Sequence, residues 1–131
     1  MKNQYLLDTH TFLWATGDIK GKLSSKVERL LNGTSAELFL SIASVWEIGI
    51  KSQLGRLRLP TAVDTYVRSA INARALRILP VELEDTARIE RFQLHHRDPF
   101  DRMLAAQALR EDLALVSVDS IFDAYAVRRY W

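Results

Sequence analysis

Short apolar runs and amphipathic stretches take turns along this chain from one end to the other. "QYLLD" reads as a buried strand ending at Asp8, and "THTFLWAT" as a helix broken by Gly17 and Asp18. "SSKVERLLN" predicts a second helix, capped by Ser24 or Ser25 and stopped at Asn32-Gly33. "AELFLS" is a second strand, and "ASVWEIGIKSQL" a third helix that ends near Gly55. After Pro60 and Thr61 come an amphipathic helix "AVDTYVRSAINAR", a third strand "LRILPV" and a further helix "EDTARIERFQL". A helix running from "DPFD" to about Asp112, a fourth strand "LALVSVD", a helical turn and a last strand around "YAVRRYW" complete the series. Strands alternating with helices imply an α/β fold, with a mainly parallel sheet covered by helices on both faces.

Composition narrows the setting without naming a function. A chain of 131 residues is expected to form one domain, 1–131, long enough to bury roughly two-thirds of its unfolded surface. It has no cysteine, which excludes disulfides and thiolate zinc sites and agrees with a cytoplasmic location. The apolar piece of "MKNQYLLD" is too brief for the core of a signal peptide. No run approaches the roughly 18 apolar residues of a membrane helix, so no membrane partner is expected. Net charge is only +2, with basic residues clustered at Lys20, Lys22 and Lys26, at Lys51, Arg56 and Arg58, and at Arg128 and Arg129. Such clusters permit a polyanionic partner but do not specify one.

The acids are more informative. Asp8 and Asp119 stand at strand exits, where open α/β sheets build their sites and helix N-termini point. Glu47 and Asp101 fall in the first turns of predicted helices. Each also has a plain structural reading. Asp8 and Asp119 suit helix caps. Glu47 follows Ser44 in "SVWE", the pattern of a capping box, and precedes Lys51 at ion-pair spacing. In "DPFD", Asp98 suits the N-cap, Pro99 the first helical position and Asp101 the first turn. Helical spacing shifts the balance, because Glu47 falls beside Ala43, Ile50 and Leu54, and Asp101 beside Leu104, Ala105 and Ala108. Carboxylates turned toward apolar faces are costly unless a cation meets them, and hard oxygen ligands select Mg²⁺ or Mn²⁺.

Four stretches, "LLDTHTFLW", "SIASVWEIGIKSQLGRLRLP", "HHRDPFDRMLAAQA" and "LVSVDSIFDAY", resemble the four motifs of PIN-domain ribonucleases. The nearest branch in this resemblance is the VapC-type toxins of bacterial toxin–antitoxin pairs, and it extends over nearly the whole chain in order. It implies a PIN-like three-layer sandwich and an endoribonuclease whose acidic cluster binds Mg²⁺ or Mn²⁺. By motif, the acids are Asp8, Glu47, Asp101 and Asp119, with Asp101 preferred to Asp98 because it directly precedes "RMLAAQA". The resemblance further implies a homodimer and a cognate antitoxin protein as partners, with RNA as substrate.

Carboxylates that hold divalent ions support phosphodiester hydrolysis, since an ion so held activates water and offsets phosphoryl charge. Thr9 and Ser44 flank two of the acids and suit orienting them or binding phosphate; Asp98 is a supporting candidate, and Arg102 suits either RNA backbone or solvent. His95 and His96 are read as shaping the loop before Asp98, with RNA contact as the alternative, and His10 as packing. Trp14, Trp46 and Phe100 are expected in the core, while Tyr125 and the terminal "RRYW" suit either a closing strand or a docking surface.

Other α/β classes fit less well. A haloacid-dehalogenase-type phosphatase needs a second aspartate two residues after the first, where His10 stands, and a signalling receiver domain needs a late lysine, whereas Lys51 is the last. The remaining alternative is a PIN-like module that binds RNA or protein without cutting; the complete acidic set argues against it.

Overall fold

Leu6 and Leu7 are adjacent and both fully buried, yet they serve different cores. Successive strand residues point to opposite faces, and strand β1 (Gln4–Leu7) lies at the centre of a sheet with apolar layers on both sides. Leu7 packs with Phe12, Val27, Ile48 and Tyr66, whereas Leu6 packs with Leu104, Leu115 and Phe122. The computed structural model describes residues 3–131; Met1 and Lys2, with which the expected domain and its opening apolar piece begin, lie outside the described residues.

Strands β2 (Glu37–Ser41), β3 (Arg77–Leu79), β4 (Ala114–Val116) and β5 (Arg129–Tyr130) complete a five-stranded sheet of order β3-β2-β1-β4-β5. Every pairing is parallel, with Leu7 opposite Leu40 on one side and Val116 on the other. The chain steps outward from β1 to β3, then returns to the far side of β1 for β4 and β5. The order therefore reverses between β1 and β4, and a crevice opens there at the carboxyl ends of the strands.

Helices α1 (Thr9–Thr16), α2 (Ser25–Asn32), α3 (Ile42–Gln53) and α4 (Val63–Arg74) cover one face. Helix α6 (Pro99–Glu111) and the 3₁₀ helix Ser120–Tyr125 cover the other, and α5 (Leu83–Arg91) packs on α6. The three-layer α/β sandwich implied by the sequence is the fold observed. Helix α1 ends where expected because Gly17 takes the left-handed conformation, φ +83°, which any side chain would strain. Among the described residues, no helix is long and apolar enough to cross a membrane.

One cap differs from expectation. Strand β2 passes into α3 without a loop, so the N-cap is the last strand residue, Ser41, whose hydroxyl accepts from the Ala43 N–H at 3.0 Å. The expected Ser44–Glu47 capping box does not form, because Ser44 already lies inside the helix and is buried.

Candidate active site

The acids are aimed by the ends of the elements that carry them. Asp8 caps α1, its Oδ1 accepting from the Thr11 N–H at 2.7 Å. Its own N–H donates to the Val116 carbonyl at 3.1 Å, and the Thr11 hydroxyl donates to the same carbonyl at 2.9 Å. These bonds tie the exit of β1 to that of β4 at the point where strand order reverses. Asp119 caps the 3₁₀ helix through the Ile121 N–H at 3.0 Å, while its own N–H donates to Ser117 Oγ at 3.0 Å. Asp98 caps α6, one oxygen accepting from the N–H groups of Phe100 at 2.9 Å and Asp101 at 3.1 Å, with Pro99 at the first helical position. For Asp8 and Asp119, then, capping and facing the crevice are one arrangement rather than alternatives.

Asp8, Glu47, Asp98, Asp101 and Asp119 line one cavity of 430 Å³, together with Thr9, His10, Trp14, Lys51 and Val118. Glu47 is in the second turn of α3, deeper than the first turn expected, and only 6% exposed. Both its oxygens have partners: Thr9 Oγ1 donates to Oε1 at 2.7 Å, and Lys51 Nζ stands 2.8 Å from Oε2. The buried Ser44 hydroxyl lies 3.0 Å from that of Thr9, so Thr9 and Ser44 together orient Glu47.

Electrostatics reports the crowding of like charge. Burial pushes the Asp8 carboxyl up from its ordinary value, opposed by hydrogen bonds from Ser117 and Thr11 and by nearby His10. Asp101 is pushed up to about 7, first by desolvation and then by the charges of Asp98, Glu47, Asp8 and Asp119. Carboxylates from four separate elements therefore feel one another across the cavity. An all-oxygen, mutually repelling set suits a hard divalent cation, and Asp8, Glu47, Asp101 and Asp119 are among the cavity carboxylates that could hold one. Among the described residues, no three acids or imidazoles are drawn into a single ligand shell, and Lys51 engages one oxygen of Glu47.

Several neighbours are placed otherwise than expected. His10 does not pack in the core; it is exposed at the cavity rim, 5.9 Å between ring centres from Trp14. Trp14 is half-buried at the same rim and meets Trp131 edge-on at 6.1 Å. Trp46 is 67% exposed rather than core, standing edge-on to Phe100 at 5.4 Å. Arg102 is half-buried and does not line the acidic cavity; its Nη2 donates to the Ile89 carbonyl at 3.2 Å and braces α6 against α5. His95 rests edge-on against Tyr125, and His96 lies between Tyr125 and Asp101. His10, Trp14 and Lys51 complete the rim of the cavity beyond the residues expected there. Their signal was present in the helical spacing of His10 and Trp14 directly after Asp8, and in Lys51 four residues beyond Glu47.

A model of the PIN-domain family matches residues 5–128. No curated protein gives a significant match. Solved structures do. VapBC2 from Rickettsia felis, bound to a DNA fragment from its promoter, has TM-score 0.71 at 16% identity, covering 97% of each chain. DNA-bound VapBC from Salmonella typhimurium has TM-score 0.68 at 19% identity, covering 99% of this chain and 98% of that one. A toxin–antitoxin complex from Klebsiella pneumoniae has TM-score 0.59 at 14% identity, covering 88% of this chain and 87% of that one. At such identities these likenesses establish the shared fold.

Proposed function

The chain belongs to the PIN-domain family, and we propose that it is a divalent-metal-dependent endoribonuclease acting as the toxin of a toxin–antitoxin pair. One observation carries this reading. Four carboxylates, each delivered by a different element, converge on one cavity at the strand-order reversal, where burial and then the charge of the surrounding acids push the Asp101 carboxyl up to about 7. Such a set has little structural use without a cation. Asp8, Glu47, Asp101 and Asp119 would hold Mg²⁺ or Mn²⁺, which would supply water activation and offset negative charge on the phosphoryl group.

The chain's own groups do the rest. Thr9 fixes one oxygen of Glu47, and the caps at Asp8, Asp98 and Asp119 fix the directions of the acids. Lys51 places a cation at the cavity wall, where it meets an incoming phosphodiester and moderates the repulsion that the acids exert on it. The neighbours' toxin–antitoxin and VapBC assemblies support a cognate antitoxin as partner here; a homodimer rests only on the motif resemblance.

The test is cleavage of an end-labelled RNA pool by purified protein with Mg²⁺ or Mn²⁺. Cleavage is expected with either ion, is abolished by chelation, and falls about 100-fold or more in Asp8→Asn and Asp101→Asn. Cutting at the wild-type rate by either variant overturns the assignment. Growth arrest on expression, relieved by Asp8→Asn, tests the toxin role separately.

A further inference from the structure

His96 has one polar atom whose purpose the acid site does not yet explain. Its Nδ1 lies 2.7 Å from the Tyr125 hydroxyl. Its Nε2 is shielded from solvent and has no hydrogen-bond partner, with Asp101 Oδ2 3.4 Å away, at ion-pair distance but outside hydrogen-bond geometry. Tyr125 is itself only 5% exposed and is held edge-on by Phe92 at 4.8 Å and by His95 at 5.0 Å. The 3₁₀ helix thus begins with the cap Asp119 and ends with Tyr125, which reaches back through His96 to Asp101.

The tautomer follows from these contacts. A neutral imidazole carries its proton on one nitrogen and a lone pair on the other. With the proton on Nδ1, the bare lone pair of Nε2 would face the lone pairs of a carboxylate and repel it. With the Tyr125 hydroxyl donating to Nδ1, Nε2 carries the N–H beside Asp101, where a small shift of either side chain brings it onto Oδ2. Only the second pattern suits an ionised Asp101.

We propose that His96 is a positioning residue for Asp101: the Tyr125 hydroxyl fixes the Nε2–H tautomer, and that N–H holds Oδ2 so that Oδ1 is left for a divalent cation. This inference rests on the reading of Asp101 as a metal ligand. Hydrogen-bonding partners behind a ligating carboxylate set its orientation, and losing such a partner weakens metal binding while leaving the ligands in place.

Calorimetric titration of the full chain with Mn²⁺ tests it, using wild type, His96→Asn, His96→Gln and Tyr125→Phe. Glutamine returns an N–H near the position of Nε2, whereas asparagine does not reach it. His96→Asn is expected to bind Mn²⁺ about 10- to 100-fold more weakly, with His96→Gln within about threefold of wild type. Tyr125→Phe falls between them. In long-range ¹H–¹⁵N spectra of the metal-free protein recorded at pH 8.5, where Asp101 is ionised, His96 is expected as the Nε2–H tautomer, with the Nδ1–H form appearing in Tyr125→Phe. Wild-type affinity in His96→Asn, or an Nδ1–H tautomer in the wild type, overturns the proposal while leaving the acid site standing. Should His96→Asn fail to fold, equal affinities in His96→Gln and Tyr125→Phe overturn it instead. Absence of Mn²⁺ binding by the wild type is a different result: it removes the acid-site reading itself, and this inference with it.

Discussion

A carboxyl group that ordinarily titrates near 4 is pushed up to about 7 at Asp101, by burial first and then by the four acids around it. This shift has a definite sign in stability. Between about pH 4 and pH 7 the folded, metal-free protein keeps a proton on Asp101 that the unfolded chain has already released. Stability therefore falls as pH rises through that window, and the favourable contribution is complete only below the unfolded value. Asp8, raised by burial, acts in the same direction. The melting midpoint of the metal-free wild type is expected to drop more between pH 5 and pH 7.5 than that of Asp101→Asn. Parallel curves for the two proteins would contradict the assignment. The same proton competes with metal, so Mn²⁺ affinity is expected to rise from pH 6 to pH 8.

Helix α6 shows what an element contributes beyond its residues. Asp98 satisfies the N–H groups of both Phe100 and Asp101, so the cap that starts the helix also aims the acid. Asparagine caps as well as aspartate, whereas alanine leaves both donors to solvent. Urea unfolding should find Asp98→Asn close to wild type and Asp98→Ala about 1 kcal/mol less stable. Removing the charge at Asp98 also removes one of the like charges on Asp101, so Asp98→Asn lowers the Asp101 pKa toward its ordinary value. At its other end, α6 is clamped to α5 by Arg110, whose Nε and Nη2 donate to the two oxygens of Asp85 at 2.7 and 3.1 Å. Asp85 is fully buried, and Arg110→Met would leave its carboxylate without its cation. The cost expected in the same unfolding measurement is about 3–5 kcal/mol. The cap was legible from "DPFD" because capping is local. The clamp was not, since Asp85 and Arg110 are far apart in sequence and only the packing of α5 on α6 joins them.

The whole molecule places the acids where the sheet changes direction. Asp8 leaves β1 and Asp119 follows β4, the two strands between which the order reverses, while Glu47 and Asp101 enter from helices started beside the same edge. A ligand that binds only this folded arrangement stabilises all of it. Mn²⁺ at a hundred times its Kd is expected to add about 2.7 kcal/mol to the stability of the wild type and nothing comparable to Asp8→Asn, measured as a shift in melting midpoint. An equal shift in both proteins would show that the ion binds elsewhere. The alternation of strands and helices, their approximate ends, the mainly parallel covered sheet and the set of acids that line the crevice are properties the sequence alone carried. Each depends on short-range periodicity, on capping chemistry, or on motifs that are contiguous in the chain. Tertiary structure alone decided that Ser44 lies within a helix rather than at its start, that Trp46 is exposed while His10 and Trp14 rim the cavity, and that Arg102 braces a helix. It alone brought Tyr125, His96 and Asp101 into line. The reason is physical: periodicity assigns a residue to a face of its own element, but what that face meets depends on distant elements, and those contacts exist only once the sheet has ordered its strands.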